Sequence, residues 1–221
     1  MHYAVAAALS ITTMVMPVPS SSQPQESPPP PAFTIPFDEI DEATLQAEVS
    51  RQALDFLLNV QSHFGQDMSA IRTSVAGDLR DDGQGKLIYL RNIGEHGVLE
   101  GYEFRQESLV RGQYIVLQRP LNGLNEFIGY YLSLKQTLAG HYGAPLQDQV
   151  VWENDLYQPV PDYWGVAVMI GHLHYHATWE TTEGTVTLEL SGNRHSRLFL
   201  EYRSRGAGTL AQAALVENQR A

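Results

Sequence analysis

The chain has 221 residues, with 14 Lys and Arg against 25 Asp and Glu, a formal charge of −11 and no cysteine. That balance argues against nucleic acid and anionic membrane surfaces as partners, because both are held by clustered Lys and Arg. Without cysteine there is no disulfide, no thiol nucleophile, no Cys-ligated metal centre and no residue to carry a bacterial lipid anchor.

Residues 1–22 read as a signal peptide. An uncharged apolar run from Ala4 to Val15 leads into Met16-Pro17 and the small residues Ser20, Ser21 and Ser22, which suit a cleavage site. The run falls short of the roughly 20 apolar residues needed to span a bilayer. No Lys or Arg precedes it, and a start upstream of Met1 would supply that charge. Residues 23–36, Ser- and Pro-rich and ending after Pro28–Pro31, form an extended tether. The expected organisation is an exported, periplasmic or secreted protein with one folded domain at 37–205 and a flexible tail at 206–221.

The domain opens with an amphipathic helix from about Asp41 to Phe64. Leu45, Val49, Ala53, Phe56, Val60 and Phe64 recur at steps of three and four and share a face. Ser74–Lys86 is polar and glycine-rich and is expected to be a loop. Strands follow near Leu87–Asn92, Leu99–Glu107 and Gln113–Arg119, separated by a turn at Gly94–Gly97 and a break around Ser108–Gly112. A second amphipathic helix spans about Asn125–His141 with Phe127, Tyr131, Leu134 and Leu138 on its apolar face, stopped by Gly143 and Pro145. A short strand at Gln149–Trp152 comes next, then a shorter helix from Asp162, its cap, to Ile170. Val166–Ile170 also suits a buried strand.

Leu173–Glu180, Thr185–Leu190 and Arg197–Arg203 read as a three-stranded antiparallel meander, with turns at Glu183-Gly184 and Gly192-Asn193. Its alternation sends Leu173, Tyr175, Ala177 and Trp179 to the core face. The fold class is therefore α+β: a mostly antiparallel sheet, a C-terminal meander, and two main amphipathic helices packed on one face.

Candidate chemistry is sparse. Near Asp78 the sequence brushes against a calcium loop, with Asp78, Asp82 and Gly83 in register. Arg80 stands where an oxygen ligand belongs and Tyr89 where a bidentate Glu belongs, so the pattern fails. Gly83-Gln84-Gly85-Lys86 lacks the upstream glycine and the following Ser or Thr of a phosphate loop. His172, His174 and His176 are spaced by two, so on a strand they share a face, and Glu189 of the neighbouring strand joins them. Imidazole pairs of this kind can hold zinc, with a carboxylate, Glu189 or Glu201, as third ligand. The same alternation puts them opposite the core, on a solvated face where polar residues are ordinary. The segment Asn154–Trp164 is loop-like, aromatic and proline-bearing, and Tyr157, Tyr163 and Trp164 are its candidate ligand-binding residues.

The leading expectation is an exported, non-catalytic binding or envelope-associated protein. It needs no cofactor, and its partner is a protein, peptide or glycan. The alternative is a metal-dependent hydrolase or metal carrier that uses zinc at the histidine cluster. Composition sets no oligomeric state.

Overall fold

The computed structural model describes residues 41–75, 78–81, 85–94, 96–117 and 125–206. The expected signal and tether, and residues 207–221 of the tail, lie outside these. Helix α1 runs Glu42–Ser62 and begins where the side chain of Asp41 accepts a hydrogen bond from Thr44 N at 2.8 Å. That bond and the one from the Thr44 hydroxyl hold the Asp41 carboxyl below its usual range. Val49, Ala53, Phe56, Leu57 and Val60 form its buried stripe. A short helix the sequence did not announce, α2 (Met68–Ser74), follows, capped by Asp67 through Ser69 N and Ala70 N.

Two expectations fail in the next stretch. Ser74–Lys86 is not loop throughout, because β1 (Asp78–Asp81) lies within it and pairs antiparallel with β2 (Lys86–Ile93). A short, charged outer strand is one way a sheet discourages further pairing at its edge, and such a strand has no apolar alternation to announce it. The expected break at Ser108–Gly112 is absent as well. β3 (His96–Arg105) and β4 (Ser108–Leu117) are joined by a reversal at Gln106-Glu107, whose φ angles are 49° and 64°. Such a two-residue turn ordinarily uses Asn or Gly, so side chains that rarely adopt this conformation concealed it.

Helix α3 (Glu126–Tyr142) precedes β5 (Gln147–Trp152). A 3-10 turn at Pro161–Tyr163 leads into α4 (Trp164–Met169), so Val166–Met169 is helix and not strand. Asp162 makes no cap bond; the Asn125 side chain reaches over and accepts from Gly165 N at 2.8 Å. Strands β6 (Leu173–Glu180), β7 (Gly184–Gly192) and β8 (Ser196–Ser204) complete the described elements and pair in sequence.

The eight described strands form one antiparallel sheet in the order β1-β2-β3-β4-β8-β7-β6-β5. The alternate residues of β2, β3, β4, β6, β7 and β8 are buried and join one hydrophobic core with the buried residues of α1, α3 and α4. Each Leu, Val or Ile side chain taken fully out of water there contributes about 1.5–3 kcal/mol before entropy is counted. Helices α1 and α3 run side by side in the same direction. Gln46 lies against Gly129, Ser50 Oγ sits 3.0 Å from Ser133 Oγ, and Tyr142 OH donates to Gln61 Oε1 at 3.2 Å, so the contacts advance together along both. Gly112 lets α1 approach the sheet, since a Cβ there would overlap the Val60 side chain. Across the opposite face of β3, β4 and β8 runs an ion network. Glu201, itself buried, accepts from Arg111 through both Nε and Nη2, and from Gln113 and Arg203.

Candidate functional site

The aromatic loop after β5 is built from short local turns. Asn154 Oδ1 accepts from Leu156 N at 3.0 Å, Gln158 N donates to Asp155 O, and Val160 N to Tyr157 O. Trp164 Nε1 donates to Gln158 O at 3.2 Å, and the Asn125 amide ties Pro161 O to the start of α3. Trp152 and Trp164 meet edge-on with ring centroids 5.8 Å apart, while Tyr157 lies between Tyr163 and His172, 6.2 Å from each. Of the three residues singled out from the sequence, Tyr157 and Trp164 are half-buried against the core and Tyr163 is exposed. The loop is thus fixed in place with part of its apolar surface turned to water.

Beside it lies the outermost strand, β5, which among the described residues pairs only with β6. Glu153 N donates to His172 O at 2.8 Å. In an antiparallel ladder the bonding alternates, so Gln147, Gln149 and Val151 face β6 with their backbone groups. The N–H and C=O of Asp148, Val150 and Trp152 therefore point away from the sheet. This edge is also apolar. Among the described residues, seven of twelve exposed large apolar side chains fall between Leu146 and Ile170, with Leu146 68% and Leu156 63% exposed.

His174 and His176 project from the face opposite the core, as alternation requires, and both are half-buried. His176 stands directly across from Glu189 on β7. His174 Nε2 is 3.0 Å from Gly171 O, and Arg197 Nη2 approaches Glu189 at 3.7 Å. His172 precedes the strand, packed on Tyr157, with Nδ1 buried and without a hydrogen-bond partner among the described residues. Among those residues, no group of three or more His, Asp or Glu side chains is placed to hold a metal ion. None of the described helices is long and apolar enough to cross a membrane.

The chain matches no protein-family model, no curated protein and no solved structure. What the site can do rests on its own geometry.

Sequence reasoning missed a second region altogether: a cleft of about 460 Å³ between α1, the end of α2, and strands β2 and β3. Arg91 and Glu100 enter it from neighbouring strands, with Nη2 of Arg91 3.2 Å from Glu100 Oε2. Tyr102 OH donates to the same carboxylate oxygen at 3.2 Å. Burial pushes the Glu100 carboxyl up, against the opposing pull of Arg91 and the Tyr102 hydroxyl, and burial beside Glu100 pushes Tyr102 up too. Arg91 and Glu100 sit at positions of strand alternation where the sequence leads one to expect apolar core residues, and that mismatch was the available signal.

Proposed function

We propose that this domain is a non-catalytic binding module that works outside the cytoplasm and takes an extended polypeptide segment along β5, next to the aromatic loop. The observation that carries the reading is the outward backbone of Asp148, Val150 and Trp152, flanked by the exposed apolar side chains of Leu146–Ile170. A peptide laid there as a further strand would gain main-chain hydrogen bonds, with side-chain contacts from every second residue supplying selectivity. Tyr163, Leu156 and Val160 would meet those side chains, and the local turns that hold the loop reduce the ordering cost of capture. Export and a partner in the cell envelope rest on the leader and tether read from the sequence. The reading calls for no cofactor.

The test is selection of peptides from a random library displayed on phage, followed by affinity measurement on two variants. Val150→Pro removes an outward donor while sparing the bonds to β6, and the Tyr157→Ala, Tyr163→Ala, Trp164→Ala triple variant strips the loop. Loss of binding in both, with far-ultraviolet circular dichroism unchanged, supports the edge as the site. Selected peptides that bind both variants as well as the parent protein would remove it.

A further inference from the structure

The cleft between α1 and strands β2 and β3 brings together two side chains that each leave a buried polar atom unsatisfied. Arg91 Nε is buried with no hydrogen-bond partner among the described residues, although Nη2 of the same guanidinium is held by Glu100. Asn59 Oδ1, on the facing helix, is likewise buried and unpartnered. Folded proteins satisfy nearly all such groups, and those left over mark strain or a missing occupant. Here one is a donor and one an acceptor, and both belong to side chains that line the same cleft.

Among the side chains that line it the charges balance: Arg51 is paired with Asp55, and Arg91 with Glu100. A guest with net charge of either sign would therefore meet a like charge without a surplus of the opposite one. Phe56 and Tyr102, whose rings are 5.5 Å apart, add apolar surface beneath the polar wall. The volume is in the range of small-ligand sites.

From this arrangement we infer that the cleft binds a neutral, hydroxyl-rich ligand of the saccharide class, with Arg91 and Asn59 turning toward it. A hydroxyl both donates and accepts, so adjacent hydroxyls answer Arg91 Nε and Asn59 Oδ1 together, while the Glu100 and Asp55 carboxylates accept from others. The ring carbons rest against Phe56 and Tyr102. This site is separate from the β5 edge, and either can stand without the other.

Saturation-transfer difference NMR on the full chain tests it, with glucose, N-acetylglucosamine and trehalose as probes and alanyl-alanine as a zwitterionic control. Transfer to at least one sugar is expected, and none to the dipeptide. Titration calorimetry with that sugar should show affinity about tenfold weaker in Asn59→Ala and in Arg91→Lys. Asn59→Ala should melt no lower than the parent protein, since it deletes an unpartnered acceptor, so lost affinity there reports the site and not unfolding. Three results overturn the inference: silence from all three sugars, sugar affinity unchanged in both variants, or transfer to the dipeptide alone.

Discussion

The two halves of the sheet solve the same problem differently. In the C-terminal half the large buried polar side chains are mostly provided for: Trp179 Nε1 donates to Gly143 O at 2.9 Å, and Tyr202 OH pairs with Thr181 Oγ1 at 2.9 Å. Around them Val186, Leu188, Leu190, Leu198 and Leu200 are essentially inaccessible. In the N-terminal half the hydroxyls of Tyr89 and Tyr114, Arg91 Nε and Asn59 Oδ1 have no partner among the described residues, and Glu100 is buried as well. Tyr131 OH on α3 and His172 Nδ1 are the comparable orphans on the other side. An interior group without a partner costs about 1–3 kcal/mol, so the N-terminal half has given up stability that the C-terminal half has kept. Two of these orphans, Arg91 Nε and Asn59 Oδ1, belong to side chains that line the cleft.

The comparison can be broken most forcefully from its stable side. Trp179→Ala should cost about 3–5 kcal/mol in urea unfolding, because it removes the largest fully buried side chain and orphans Gly143 O. A cost below that of an ordinary surface change would mean the C-terminal half is not the anchor. Gly112→Ala should cost about 1–3 kcal/mol, by pushing α1 off the sheet through Val60 and Phe56. The sharpest contrast comes from two matched deletions of a hydroxyl. Tyr202→Phe breaks a made bond and should lose about 0.5–1.5 kcal/mol, whereas Tyr114→Phe removes an orphan and should be neutral or gain stability. Equal losses in the two would erase the distinction between the halves.

The smallest effect is one of pH. Glu100 titrates higher in the folded chain than in the unfolded one, chiefly through burial. Between those two values the folded state keeps a proton that the unfolded chain has released, so stability falls as pH rises through the window. Glu100→Gln cannot release that proton. Its stability relative to the parent protein should therefore rise on going from about pH 4 to about pH 8. A constant difference would show that the carboxyl is not held against ionisation.

How much of this was legible in the sequence depends on what each element buries. The meander and both long helices declared themselves, because Leu173 to Trp179 and Val49 to Val60 bury side chains at the period of their own backbone. β1 was hidden because the four residues Asp78–Asp81 are too short and too charged to show an apolar period, and the β3–β4 reversal was hidden because Gln106 and Glu107 are not turn formers. The aromatic loop could be named from composition, but that it adjoins the exposed edge of β5 depends on a strand order no local pattern encodes. The charged residues Arg91 and Glu100 at core positions were a signal in the sequence, but the cleft itself was not, for a related reason. Asn59 and Arg91 lie on separate elements, and only tertiary packing brings the helix to the strands.

The placement of β8 bears on how the chain comes to be folded at all. It is the last of the described strands, yet it lies between β4 and β7 and is bonded to both. As the polypeptide emerges from a ribosome, β1–β4 and β5–β7 can pair only as two separate ribbons, each with a bare inner margin. Closure waits for Ser196–Ser204. Until then the molecule has two sticky borders and no finished interior, so a nascent chain stalled before Ser196 should be sensitive to protease and prone to pair with its neighbours. The final strand acts as a keystone: only once it is delivered does the sheet run unbroken from β1 to β5.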